Sequence, residues 1–153
     1  MRRQSQDIDG YTNTYKEEGK AAADAARTWT GVAAPDGTSG WFLPSAGQWF
    51  LILKNLGNLS NNYVFDGWHG TTENMISAQA ANTINNRLSV LAAGSYDPFT
   101  VVTSTDSSVN YWTSSEYDSF HAIAVSFTNE GSMLFATNLH KSTLCKIRPV
   151  VAF

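Results

Sequence analysis

His69, His121 and His140 are the only imidazoles in the sequence, and Cys145 is its only thiol. Hydrolytic chemistry needs a nucleophile, a base and a group that orients the base. Serines are plentiful, but a G-x-S-x-G elbow, an H-E-x-x-H pair and a P-loop are all absent. His121 and His140 fall in an irregular C-terminal stretch, where ordinary exposed histidines are a better reading than a catalytic base. Cys145 lies between Leu144 and Lys146. The lysine is expected to lower its pKa slightly, which still leaves a bystander thiol. A single cysteine excludes an internal disulfide framework and a multi-cysteine metal site. Asp7-Ile8-Asp9-Gly10 has the form of a calcium-loop opening, but the later oxygen ligands and the closing Glu do not follow, so its carboxylates read as solvated turn groups. Asn58-Leu59-Ser60 has sequon form immediately after an expected helix end. No catalytic residue, metal or cofactor is expected.

The elements that would position these groups divide the chain in two. Residues 7–15 mix β-formers with a glycine turn and predict an edge strand or loop. The alanine-rich run that follows predicts a first helix with Ala22, Ala25 or Ala26, and Trp29 on one face. Pro35 and the glycines around it mark a connecting loop. The clearest helix starts at Ser45, which can cap it; Trp49, Phe50, Ile52, Leu53 and Leu56 form its apolar stripe, and Gly57 can end it. A short strand is predicted within 63–68. A further helix, capped by Thr71 or Thr72, turns Ile76, Ala80, Ile84, Leu88 and Leu91 inward and closes at Gly94. From about residue 99 the period becomes two. Val101-Val102, Tyr111-Trp112 and His121–Phe127 predict strands with one buried face, Thr128–Gly131 a hairpin turn, and Met133 with Phe135 the return strand. Pro149 puts the β-rich terminus at an edge or bulge. Helices in the N-terminal half and an antiparallel sheet in the C-terminal half describe a single α+β domain.

Composition narrows the partners. The chain has 153 residues, enough for one ordinary core, with 42% hydrophobic and only 15% charged residues. Its net charge of -3 comes with scattered Lys and Arg, so no basic footprint for nucleic acid is expected. No stretch approaches the roughly 20 apolar residues of a membrane span. The start, Met1-Arg2-Arg3-Gln4-Ser5-Gln6, lacks the apolar core of a signal peptide, so an exported location would require a leader or anchor from outside this sequence. Residues 1–6 are expected to be flexible. Trp41, Trp49, Trp68 and Trp112 read as core and framework rather than as a sugar platform.

The C-terminal region interleaves two kinds of sequence. Tyr111-Trp112-Thr113-Ser114-Ser115-Glu116-Tyr117 and Lys146-Ile147-Arg148-Pro149-Val150 look like framework, whereas Phe135-Ala136-Thr137-Asn138-Leu139-His140 follows no simple period. Together with Trp41-Phe42-Leu43-Pro44-Ser45, the framework motifs resemble a bacterial family of C-type lectin-like fold. In that family W-x-L-P-[ST] opens the second helix, a YW-[ST]-S-[ST]-E-Y strand follows, and a VRPV-like strand closes the domain. The resemblance covers roughly residues 37 to 153 and is specific as a set of motifs. The family is commonest in gut Bacteroides-type bacteria and their phages.

Some members of this fold are variable proteins of diversity-generating retroelements, whose reverse transcriptase randomises adenines, mainly in Asn codons near the 3′ end of the gene. Such codons cannot become Lys, Glu, Gln, Met or Trp. Asp118, Phe120, His121, Ala124, Ser126, Thr128, Ser132, Leu134, Phe135, Ala136, Thr137, Asn138, Leu139, His140, Ser142, Thr143, Leu144 and Cys145 all belong to the reachable types. Glu116, Glu130, Met133, Lys141 and Lys146 do not, and they stand at framework positions. The resemblance implies that the reachable positions bind a ligand, with Tyr111, Trp112, Glu116 and Arg148 as scaffold. The run from Ser132 to His140 mixes Leu134, Phe135 and Leu139 with small polar residues and carries no acidic or lysine side chain, the composition of a binding patch. The expected partner is a protein or glycan on a cell or phage-host surface, met extracellularly or on a phage tail.

Two departures from the wider fold shape the expectation. The Glu-Pro-Asn, Gln-Pro-Asp and Trp-Asn-Asp motifs of calcium-dependent lectins are absent, so binding is expected to be metal-independent. Formylglycine-generating enzymes share the fold but need two active-site cysteines. A non-diversified structural or pilus- or tail-tip module of the same fold with one fixed partner is the alternative, and an enzyme ranks last.

Overall fold

The computed structural model describes residues 8–16, 20–57, 83–84, 86–87, 109–127 and 133–152, with the backbone alone for 127 and 133–138. Ser45 and Gln48 set the best-defined local structure. The Ser45 hydroxyl accepts from the Gln48 N–H at 3.3 Å, and the Gln48 carboxamide accepts from the Ser45 N–H at 3.0 Å. This reciprocal box satisfies two N–H groups that a helix start leaves open. It begins helix α3, Ala46–Leu56 (numbered third in chain order), as expected. Trp49 and Leu53 are fully buried, while Phe50, Ile52 and Leu56 sit at the margin of the stripe. Gly57 ends the helix in ordinary right-handed geometry.

Two short helices precede it. Within residues 7–15, expected as edge strand or loop, the chain from Gly10 onward instead forms α1, Gly10–Lys16. The reason is tertiary. Gly10 packs so closely on the α3 cap that an added Cβ would lie 2.0 Å from Gln48 Oε1 and 2.6 Å from Ser45 N. Thr14, fully buried, accepts from the Leu43 N–H at 3.0 Å and reaches the Gly10 carbonyl at 2.7 Å. These contacts hold helical a segment with modest intrinsic preference for it. The expected alanine-rich helix is α2, Ala21–Arg27. Ala26 is fully buried and Ala22 packs against the same core cluster, as expected, while Ala23 is also buried and Ala25 is exposed. Trp29 lies past the helix end, exposed and edge-on to Trp41 at 4.7 Å.

The sheet is antiparallel, in the order β1 (Val109–Glu116), β2 (His121–Phe127), β3 (Met133–His140). Its central strand corrects a second expectation. Ile123, Ala124, Val125 and Ser126 are all buried, so β2 is covered on both faces. Tyr111 pairs with Val125, and its ring meets Trp49 of α3 at 5.9 Å; Trp112 pairs with Ala124 on the opposite face, clustering with Ala26 of α2 and Leu43. Ala26 of α2 and Ala124 share this cluster with Leu43 and Trp112, so the small residue on β2 is interior rather than solvent-facing. The run 135–140, which follows no simple period in sequence, is strand in its backbone, with a register shift against β2 between Ala136 and Leu139.

The terminal segment returns beside β1. Lys146 bridges Tyr111 in parallel, and Val150 bridges Phe42 in antiparallel through two 2.9 Å hydrogen bonds. These are single bridges rather than the closing strand expected, since Pro149 between them has no N–H to extend a ladder. The result is a small α+β domain of three helices and a three-stranded antiparallel sheet among the described residues. Thr83, Ile84, Asn86 and Arg87 are helical and Ile84 is buried, as expected, with Arg87 donating to the Asn55 carbonyl at 2.8 Å. The rest of that helix, the strands expected at 63–68 and 101–102, Trp68 and the turn at 128–131 lie outside the described residues.

Candidate recognition surface

One end of the sheet gathers groups from three strands. Glu116 closes β1, His121 opens β2, and His140, directly opposite His121 in register, closes β3. The two imidazoles stand edge to face at 5.8 Å. Between β1 and β2, Asp118 organises the turn: one carboxylate oxygen accepts from the Phe120 and His121 N–H groups at 2.7 Å each, and His121 Nδ1 lies 2.9 Å from both oxygens. The His121 ring hydrogen bond, then the Phe120 N–H, hold the Asp118 carboxyl below its usual range. This geometry puts the His121 proton on Nδ1.

His140 takes the other tautomer. The Ser142 N–H, which can only donate, points to His140 Nδ1 at 3.3 Å, and the Ser142 hydroxyl lies 2.7 Å from the same nitrogen. Neutral His140 therefore carries its proton on Nε2. The turn after β3 is tied back by Lys141 N–H to Phe120 O at 2.9 Å and Thr143 N–H to His140 O at 2.8 Å. Lys141 also forms an ion pair with Glu116, whose same oxygen lies 3.6 Å from Lys20.

On this anchored backbone Phe120 is 66% exposed and Leu144 98% exposed. Apolar side chains held this far into water, beside two histidines and an aspartate, are equipped for contact with another molecule. Sequence reasoning passed over Tyr117 as framework, yet it is also exposed in the same turn. The cue was available in Asp118, a residue type that initiates turns by accepting from the backbone just after it.

The eighteen positions expected to bind separate into groups. Asp118, Phe120, His121, His140, Ser142, Thr143 and Leu144 come together at the sheet end, and all but the half-buried His121 are exposed. Ala124 and Ser126 are buried and correct the expectation: Ala124 belongs to the core cluster, and Ser126 donates to Asn110 Oδ1 at 2.6 Å. Leu139 and Cys145 pack against the same cluster and are likewise interior in part. Burial raises the Cys145 thiol to about 11, opposite to the lowering expected from Lys146. Leu134, Phe135, Ala136, Thr137 and Asn138 lie on β3, described by backbone only, while Thr128 and Ser132 lie outside the described residues. Of the expected scaffold, Tyr111 and Trp112 are buried and Arg148 half-buried, whereas Glu116 is exposed and paired.

A cleft of about 590 Å³ opens on the α2 side of the sheet, between Ala21–Ala25, β1 and residues 141–147. Among the described residues no three His, Cys, Asp or Glu side chains group as a metal site, and no helix is long and apolar enough to cross a membrane. No family model, curated protein or solved structure matches the chain.

Proposed function

We propose that this chain is a ligand-recognition domain of C-type lectin-like fold, whose sheet end displays residues diversified by a retroelement and binds without metal or catalysis. The partner is a protein or glycan on a cell or phage-host surface, met outside the cell or at a phage tail. One observation carries the reading: Asp118, Phe120, His121, His140, Ser142, Thr143 and Leu144, all types reachable from adenine-randomised Asn codons, share one end of the sheet. Glu116 and Lys141, both of unreachable type, tie the two turns together beneath them. Side chains free to differ on a backbone held by main-chain bonds and an ion pair are what a diversified surface requires, and of the set Asp118 also holds its own turn, through the Phe120 and His121 N–H groups. The buried Ala124 and Ser126 and the half-buried Leu139 and Cys145 fall outside the contact set of this proposal.

Sequencing the DNA downstream of the gene tests it. A near-copy of the 3′ end that differs only at adenines, beside a reverse transcriptase gene, is the expected result. Absence of such a copy would leave a fixed surface, the module with one partner.

A further inference from the structure

The cleft on the α2 side adjoins the sheet end, with Ser142, Thr143 and Leu144 on its rim, but its inference does not rest on the recognition reading. Its walls are apolar where they are deepest: Ala22, Leu43, Trp112, Ala122, Cys145 and Ile147 line it and pack around the core cluster. The cysteine adds no charge, because its thiol stays protonated. Charge enters through Lys20, Glu116 and Lys141 alone among the described lining residues. Both ammonium groups converge on one oxygen of Glu116, so the described lining carries two ammonium groups against one carboxylate. A volume of about 590 Å³ is ample for a small molecule.

We infer that this cleft binds a small amphipathic monocarboxylate, with the apolar body against Trp112, Leu43 and Ile147 and the carboxylate beside Lys20 and Lys141. Burial of the aliphatic part supplies affinity, and the two lysines select the charged head over a neutral one. The sheet-end side chains Phe120 and His140 take no part, since neither lines the cleft.

The test titrates the full chain by calorimetry with octanoate, and with octan-1-ol as the neutral probe of equal length. Octanoate is expected to bind one to one with a dissociation constant on the order of 100 µM, and the alcohol at least about tenfold more weakly. Lys20→Gln should weaken octanoate about fivefold to tenfold and leave the alcohol unchanged. Ala22→Leu should weaken both by occupying the cleft, in a chain that still melts cooperatively. Amide and indole NMR shifts should centre on Ala22, Trp112 and Ile147. Equal binding of acid and alcohol, indifference to both substitutions, absence of binding to the folded chain, or shifts centred on Phe120 and His140 would each overturn the inference. None of those outcomes bears on whether the sheet end is diversified, which the DNA decides separately.

Discussion

The α3 cap and the sheet end solve the same problem, holding irregular backbone in place, by opposite means. At the cap, the side chains of Ser45, Gln48 and Thr14 are engaged and Gly10 has no room for a Cβ. At the sheet end the turns are held largely by main-chain bonds, the Asp118 carboxylate and the Glu116–Lys141 pair, while Phe120 and Leu144 extend into solvent. The first region leaves the sequence little freedom. The second fixes a shape and leaves most of its side chains open to replacement.

Substitutions should separate the two regions by stability. Gly10→Ala should be the most damaging, since backbone as well as the Gln48 tip must shift to admit a methyl group. A loss of about 2–3 kcal/mol is expected, read as a fall of roughly 5–10 °C in melting temperature. A change under about 0.5 kcal/mol would show the cap to be as tolerant as the sheet end.

Neighbouring hydroxyls on β1 sharpen the contrast within the framework. The buried Ser115 hydroxyl accepts from the Ala46 N–H at 3.0 Å, at the first turn of α3. Ser115→Ala should cost about 1–3 kcal/mol by orphaning that donor. Ser114, one position earlier, has a buried hydroxyl that finds no hydrogen-bond partner among the described residues. Ser114→Ala should leave stability unchanged or raise it by up to about 1 kcal/mol. Paired denaturant titrations decide the matter, and equal losses would mean that Ser114 is satisfied in solution.

Smaller again is the effect of acid on the β1–β2 turn. Asp118 is held below its ordinary carboxyl range in the folded chain, so it favours the native turn at pH above its unfolded value. That contribution should fade as pH falls below about 4 and through the lower folded-state value. The Phe120 and His121 amide resonances should report it, and Asp118→Asn should remove the dependence. Smallest is the effect of Phe120→Ala combined with Leu144→Ala, which should change stability by no more than about 0.5 kcal/mol. A large loss would assign these side chains to the core.

What could be read from the sequence followed the distance over which each residue acts. The α3 cap was legible because Ser45 and Gln48 are three residues apart and act on each other. Helix α1 was not, because Gly10 and Thr14 acquire meaning only against Leu43–Gln48, far along the chain. The strands of the hairpin were legible in their period. The double burial of β2 was not, since Ala124 and Ser126 look like a polar-side row until Ala124 joins the cluster of Ala26, Leu43 and Trp112 and Ser126 finds Asn110. Part of the sheet end was visible as exposed, turn-rich chemistry. The meeting of His121 with His140 depended on a register that shifts between Ala122 and Ala124, which no local pattern specifies.

The bonds between the 39–42 loop and residues 150–152 bear on how the chain is made. Ala152 donates to the Ser39 hydroxyl across a separation of 113 positions, and Val150 exchanges two bonds with Phe42. At ordinary rates of translation the loop waits on the order of 10 s for these partners to be synthesised. During that interval the buried backbone groups of Phe42 must be left to water or to a chaperone. Closure of the domain therefore cannot precede the synthesis of residues 150–152, and slowing translation between residues 42 and 150 would lengthen the time its aromatic interior stays open.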